Sequence, residues 1–270
     1  MTPNKQKFTN TMKSGQPLSN VERQEALLRY IRLEKRATVN ELSSRFDVSV
    51  ATVRRDLDAL TERGDVARFH GGAMLVRQAP PEAPAHQRSV DQTEAKQRIG
   101  AAAASLINDG DTVFLGSGTT VLELARSLHG HRKLTVITNS VLVINELATS
   151  ASITLISLGG LVRGSEMSMI GHVAEQALAE VRAQKIFIGI HAIDIDDGLT
   201  NDYMPETVTD RAILTQGGQV IVLADHSKCG RTSTAFVAPI EAVDTLLVDR
   251  DTSPAFVDAV RAAGVQVLVV

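Results

Sequence analysis

From about Ala95 onward, short apolar runs alternate with helix-like stretches, and this limits the folds open to the chain more than any other feature. The runs are Thr112–Leu115, Leu134–Thr138, Ile153–Leu158, Ile186–Ile190, Val220–Leu223, Thr245–Val248 and Val265–Val270. Most are apolar at successive positions rather than at every second one, as expected of strands buried on both faces. Helical patterns over Ile99–Ile107, Val121–Leu128 and Leu142–Leu147 separate the first of them. Such alternation predicts an α/β domain around a mostly parallel sheet with helices on both sides.

Residues 21–73 are organised differently. They predict three short helices followed by a hairpin. Thr38 and Glu41 have the spacing of a capping box, so a helix is expected to start there, with Val39, Leu42 and Phe46 inward. Val48 and Ser49 form the turn, and Ser49 caps a second helix in which Val53, Leu57 and Leu60 make the buried face. Thr52, Arg54, Arg55 and Asp58 then project elsewhere, and Gly64 is placed to stop the helix. A short strand, Val66–Phe69, and a turn at His70-Gly71-Gly72 complete a β-wing. Two helices joined by a tight turn make a helix-turn-helix, whose second helix lays its N-terminal residues against base edges in the major groove. The expected DNA contacts are Thr38, Ser49, Thr52, Arg54, Arg55, Arg68, His70, Gly71 and Gly72.

Charge follows the same division. Residues 1–75 carry 13 Lys/Arg against 9 Asp/Glu, whereas the remaining 195 carry 15 against 22. A basic small end on an acidic body suits a DNA-reading module joined to a separate domain. The expected organisation is a flexible tail over 1–20 and a winged helix-turn-helix over 21–75. A linker containing Pro80, Pro81 and Pro84 spans 76–94, and a sensor and oligomerisation domain spans 95–270. The single cysteine, Cys229, excludes an internal disulfide and a Cys-rich metal site. Residues 1–20 hold no apolar signal core and no apolar run is long enough to span a membrane, so a cytoplasmic protein is expected. His129, His131, His172 and His191 show no metal-ligand spacing, and neither a metal nor a cofactor is expected.

Several loops follow predicted strand ends, where open α/β sheets bind ligands. They are Gly116-Ser117-Gly118-Thr119-Thr120, Thr138-Asn139-Ser140, Gly159-Gly160 and Asp225-His226-Ser227-Lys228, with an acidic loop from Asp194 to Gly198 as a fifth candidate. Glycines let the backbone approach an anion, and hydroxyls and helix N-terminal amides hold it. Lys228 offers a point charge for phosphate, and Asp225 accepts from a sugar hydroxyl. The loops fit neither a Walker loop nor a Gly-x-Gly-x-x-Gly dinucleotide fingerprint. The expected effector-binding set is Gly116, Ser117, Gly118, Thr119, Thr120, Thr138, Asn139, Ser140, Asp194, Asp225 and Lys228.

The run Val48-Ser49-Val50-Ala51-Thr52-Val53-Arg54-Arg55-Asp56-Leu57, then Gly64, then His70-Gly71-Gly72-Ala73, resembles the DNA-binding signature of the DeoR family of bacterial regulators. Lys96–Ile99, Gly110–Thr120, Thr138–Ser140, Gly198–Thr200 and Asp225–Lys228 resemble that family's sensor domain, itself similar in fold to ribose-5-phosphate isomerase. The resemblance implies a repressor of a carbohydrate or polyol operon. Its partners would be double-stranded operator DNA, a phosphorylated sugar or polyol, and further copies of itself as a dimer or tetramer. It also implies that Asp56 braces an arginine. Gly116 stands where many relatives carry an acidic residue, a departure that bears on sugar selectivity. Two other functions compete with this one. The first is a sugar-phosphate isomerase using Asp194, Asp196, Asp197 or Glu206, although the chain lacks the isomerases' glycine-rich catalytic stretch. The second is a DNA-binding protein whose α/β domain only oligomerises.

Overall fold

The computed structural model describes residues 19–270 except 35, 64, 70, 76 and 77. Most of the expected tail, Gly64 and His70 therefore lie outside the described residues. The chain divides into two compact units between residues 76 and 77.

The first unit contains helix α1 (Asn20–Glu34), strand β1 (Arg36–Thr38), helices α2 (Val39–Phe46) and α3 (Val50–Glu62), and strands β2 (Val66–Phe69) and β3 (Gly72–Leu75). The capping box forms: the Glu41 amide donates to Thr38 Oγ1 at 3.2 Å, and the Thr38 amide donates to Glu41 Oε2 at 2.7 Å. Ser49 Oγ accepts the Thr52 amide at 3.1 Å and starts α3. Leu27, Leu28, Ile31, Leu42, Val53, Leu57, Leu60 and Val66 pack into one core. Each such buried aliphatic contributes about 1.5–3 kcal/mol. The strands pair antiparallel in the order β1-β3-β2. β1 was not expected from the sequence. Its cross-strand contact requires Gly72, where a Cβ would meet the Ala37 carbonyl oxygen and the Phe69 ring at 2.4 Å.

The second unit opens on residues 78–92, which include the short helix α4 (Ala85–Arg88). This stretch, expected to be a linker, packs against its own unit. The Ala79 amide donates to Thr232 O at 2.8 Å and the Ala85 amide to Ser165 O at 2.7 Å. The prolines prevent a long helix here, but they leave an extended strap free to pair with a neighbour.

Beyond the strap, α5 (Thr93–Ala104), β4 (Thr112–Leu115), α6 (Thr119–Arg126), β5 (Leu134–Thr138), α7 (Val141–Leu147) and β6 (Ile153–Ser157) follow the expected alternation. A hairpin of β7 (Leu161–Arg163) and β8 (Ser168–Ile170) interrupts it before α8 (His172–Glu180) and β9 (Lys185–Gly189). β10 (Ala192–Asp194), β11 (Gly198–Asn201), α9 (Met204–Leu214), β12 (Gln219–Ala224) and β13 (Ala235–Ala238) come next. β14 (Thr245–Val248), α10 (Pro254–Ala262) and β15 (Gln266–Val269) end the chain. Seven strands form one sheet in the order β15-β14-β12-β9-β4-β5-β6, every neighbouring pair parallel. Val113 and Leu115 face the layer of α5, α6 and α7, and Phe114 faces that of α8, α9 and α10. With both faces covered, successive positions must be apolar, which explains the runs in the sequence. β10, β11 and β13 form a separate small antiparallel sheet.

Candidate functional site

The order of the large sheet reverses between β4 and β9. From β4 the chain builds outward through β5 and β6, and from β9 outward through β12, β14 and β15. A crevice opens beyond the carboxyl ends of strands at such a switch point. The cavity there measures about 110 Å³. A single water needs only about 10–15 Å³ by the same measure, so this one admits a ligand of several atoms.

The loop after β4 forms one wall: Gly116, Ser117, Gly118, Thr119 and Thr120 all line the cavity. Gly118 has φ +113° and caps α6, leaving the first amides of that helix without partners inside the helix. Asp225, Ser227 and Lys228, after β12, form a second wall. Asp225 Oδ1 accepts the Ser227 amide at 3.0 Å, which fixes the turn that presents Lys228.

Thr138, Asn139, Ser140 and Asp194 do not line this cavity. The loop after β5 lies one strand outside the switch point. Thr138 Oγ1 donates to Leu115 O at 2.6 Å, Ser140 caps α7, and the Met169 amide donates to Asn139 O at 2.7 Å. These residues hold the β7–β8 hairpin in place, and the loop of that hairpin supplies Glu166 to the cavity. Asp194 ends a strand of the small sheet, where its Oδ1 accepts the Asp196 amide at 3.0 Å and closes the β10–β11 turn. Gly159-Gly160 packs against β8 instead of the cavity: a Cβ on Gly160 would meet Ile170 O at 2.8 Å.

The remaining lining was not singled out from the sequence as binding residues. Glu82 and Arg88 come from the strap, Lys96 from α5, His191 from beyond β9, and Glu206 and Asp210 from α9. Asn201 also lines it. Arg88 sits between two carboxylates, pairing with Glu166 and standing 3.2 Å from Glu82 Oε1. Lys96 Nζ donates to the backbone carbonyls of Arg88 and Asp91, which fastens the strap to α5. Burial lowers the Lys96 pKa.

His191 is 4% exposed, and neither ring nitrogen makes a hydrogen bond; Nδ1 stands 3.5 Å from Glu82 Oε1, at ion-pair distance. It is thus a buried histidine whose charged neighbour is the Glu82 carboxylate. Glu206, also 4% exposed, pairs through Oε2 with Arg163 and leaves Oε1 without a donor. Burial would raise the Glu82 pKa, but the neighbouring His191 and the charges of Arg88 and Lys228 outweigh it and hold the group at about 2. Burial and then the Glu82 charge push Glu166 the other way, to about 7, against the pull of Arg88. Burial, followed by the charge of Glu206, raises Asp210 well above the usual carboxylate range.

In the first unit, Arg54 and Arg55 are exposed on α3 near its N-terminus, with Thr52 just before them and half-buried. Three other expected DNA contacts have structural partners. The Thr38 hydroxyl donates to Glu41 Oε2 at 2.9 Å, Ser49 Oγ lies 2.9 Å from Thr52 Oγ1, and Arg68 Nη1 stands 2.6 Å from Asp58 Oδ1. Gly71 O accepts the Val39 amide at 2.8 Å. Asp56 is buried against Arg23, the arginine it braces.

Comparison with known proteins agrees with both units. Residues 23–79 match the DeoR-like helix-turn-helix domain, and residues 91–250 match the DeoR C-terminal sensor domain. The chain belongs to the DeoR family. It is 35% identical to the transcriptional repressor AccR of Agrobacterium fabrum, covering 87% of this chain and 91% of that one. It is 32% identical to the glycerol-3-phosphate regulon repressor of Escherichia coli, covering 86% and 92%. Among solved structures, ribose 5-phosphate isomerase A of Methanocaldococcus jannaschii is 18% identical over 51% of this chain and 55% of that one, with a TM-score of 0.38. The fold of this DeoR-family sensor unit therefore rests on its own strand order. Among the described residues, no helix is long and apolar enough to cross a membrane.

His226, Asp249 and Asp251 form the one group of three possible metal ligands among the described residues. The ion pair of His226 Nδ1 with Asp249 at 2.8 Å accounts for its geometry.

Proposed function

We propose that this chain is a DNA-binding repressor of a carbohydrate or polyol operon, released or strengthened on its operator by a phosphorylated sugar or polyol. The cavity at the switch point is the observation that carries this: helix-start amides and hydroxyls at Gly116–Thr120 line it together with Lys96, Lys228 and buried carboxylates. The first group suits a phosphate, and the carboxylates suit hydroxyls. Named relatives include a repressor of a glycerol-3-phosphate regulon, which supports an effector of this class.

On the DNA side, Arg54 and Arg55 are the side chains free to reach the duplex, with Thr52 beside them. Thr38, Ser49, Gly71 and Gly72 act by shaping the module, and Arg68 acts while held by Asp58. The protein works in the cytoplasm as a homo-oligomer on paired half-sites, without catalytic turnover of its ligand. Effector and operator are linked by a coupling free energy of about 1–3 kcal/mol.

The test is fluorescence anisotropy with DNA from upstream of the protein's own operon, at two salt concentrations, followed by a panel of sugar and polyol phosphates. Salt-weakened binding that survives competitor DNA and shifts with one phosphate is the expected result. Binding no tighter than to random DNA, together with turnover of a sugar phosphate, would replace the repressor with an enzyme.

A further inference from the structure

A carboxyl group faces the loop that is shaped to receive an anion. The nearest atom to where a Cβ on Gly118 would stand is Glu166 Oε1, at 3.9 Å. Gly118 caps α6, and Thr119 and Thr120, the first residues of that helix, line the cavity. A phosphate held by the start of α6 therefore lies against Glu166. The residue is 5% exposed, and its other oxygen, Oε2, accepts from Arg88 Nη2. Its backbone is fixed on both sides: the Ala85 amide of the strap donates to Ser165 O at 2.7 Å, and the Val141 amide of α7 donates to Met167 O at 2.8 Å.

The charges around Glu166 leave it short of compensation. Arg88 from α4 stands between Glu166 and Glu82, 3.2 Å from Oε1 of the latter, and Arg163 from the same hairpin pairs with Glu206. Neither arginine serves Glu166 alone. Glu82 from the strap and Glu206 from α9 both act on it as like charges, and Asp210 of α9 is itself pushed toward its neutral form. His191 and Lys228 act on Glu82. Burial and then the Glu82 charge already hold the Glu166 pKa at about 7. A phosphate beside it is a further like charge and favours the neutral form more strongly. A neutral carboxyl also suits both neighbours: Oε2 still accepts from Arg88, while a proton on Oε1 makes that oxygen a donor toward the loop.

We propose that Glu166 receives the effector's phosphate as a neutral carboxylic acid, with Oε1–H donating to a phosphate oxygen and Oε2 kept on Arg88, so that binding above neutral pH takes up one proton from solvent. This rests on the assignment of the cavity as the effector site. The complex carries one proton more than its separate, ionised partners, whether that proton sits on Glu166 or on the phosphate. It returns to solvent when the effector leaves. Effector binding is therefore tighter at pH 7 than at pH 8.5, and the operator responds to lower effector concentrations at the lower pH.

The experiment is titration calorimetry of the full chain with glycerol 3-phosphate and glucose 6-phosphate between pH 7.5 and 9, each pH in two buffers of different ionisation enthalpy. A phosphate ester loses its second proton near pH 6, roughly, so over this range the free ligand no longer titrates. For whichever ester binds, the heats in the two buffers are expected to differ by the uptake of more than about half a proton per ligand at pH 8, and affinity should fall about tenfold or more from pH 7.5 to 9. Glu166→Gln keeps an N–H donor toward the loop and cannot titrate. It is expected to bring the uptake close to zero and to bind more tightly than the parent at pH 9. If that variant does not fold, Glu166→Ala is read in its place, and the uptake should vanish there too. A parent chain that binds without proton uptake overturns the proposal and leaves the effector site standing. So does uptake that persists in the variant, which would trace it to another group of the cavity such as Lys96, whose pKa burial lowers. Failure of both esters to bind a chain that still holds its operator removes the phosphate seat, and the proton with it.

Discussion

Arg23 of α1 forks onto Asp56 of α3, with Nε 2.5 Å from one carboxylate oxygen and Nη2 3.0 Å from the other. Asp56 is 3% exposed and stands next to Arg55, yet it faces away from the surface that Arg55 occupies. The pair fixes the recognition helix against the first helix of the module. Removing Asp56 takes a charge-assisted hydrogen-bond partner from the partly exposed Arg23, which costs about 1.5–3 kcal/mol. Asp56→Ala is therefore expected to destabilise the first unit by that amount in denaturant unfolding. A change under about 1 kcal/mol would mean that the pair does not organise the helix.

Arg54 and Arg55 should behave in the opposite way. Both are exposed and neither shares in the core. Alanine at either is expected to leave stability within about 0.5 kcal/mol. Operator affinity should fall, and the slope of log affinity against log salt should shrink by about 1 for each phosphate that is no longer neutralised. Anisotropy over a salt series measures both; an unchanged slope in the double variant would exclude these arginines from the DNA interface.

Lys228→Ala tests the phosphate wall. Lys228 lines the cavity on a turn that Asp225 holds without its help. The variant is expected to bind operator as the parent does and to lose at least tenfold in affinity for the effector. If the operator response to the effector is intact, Lys228 has no part in binding.

Gly118 has φ +113°, a conformation that an L-residue adopts only under strain. Its Cβ would meet no close neighbour, the nearest atom being 3.9 Å away, so the penalty of Gly118→Ala is conformational, not steric. A cost of about 1–3 kcal/mol is expected in thermal unfolding, together with loss of effector binding as the first turn of α6 shifts. Equal stability of variant and parent would show that the loop tolerates another backbone path.

The pH dependence of stability should carry the mark of Glu166. Burial and the Glu82 charge lift its pKa from 4.5 to about 7, so the folded chain holds this proton more tightly than the unfolded one. The contribution is fully present below 4.5 and is lost as pH rises through 7. Glu82, held at about 2, works in the opposite sense: its contribution is present above 4.5 and is lost only as pH falls toward 2. From about pH 5 to 8 the Tm of Glu166→Gln is expected to fall less than that of the parent chain. Parallel curves would show that Glu166 titrates as an ordinary surface carboxyl.

Much of the first unit could be read from local pattern. The Thr38–Glu41 box and the Ser49 cap are interactions over three residues, and the apolar faces of α2 and α3 repeat within single helices. What local pattern missed was how the polar groups are used. The hydroxyls of Ser49 and Thr52, both expected at the DNA, also lie 2.9 Å apart within the cap. Arg68, expected at the DNA, is also held by Asp58, ten residues earlier.

In the second unit the apolar runs determine a parallel sheet by themselves, because strands covered on both faces need apolar side chains at successive positions. The glycine- and hydroxyl-rich loops likewise mark where strands give way to helices. Which loops meet is decided by strand order, and strand order leaves no local trace. The loops after β4 and β12 line one cavity because β9 alone lies between those strands, while the loop after β5 falls outside it. Glu82, Arg88 and Glu166 come together although 78 residues separate Arg88 from Glu166, and the pKa values of the two glutamates follow from burial and from the charges around them. The sequence determined the elements, through contacts a few residues long; the tertiary structure decided the site, because its charges interact through space and not along the chain.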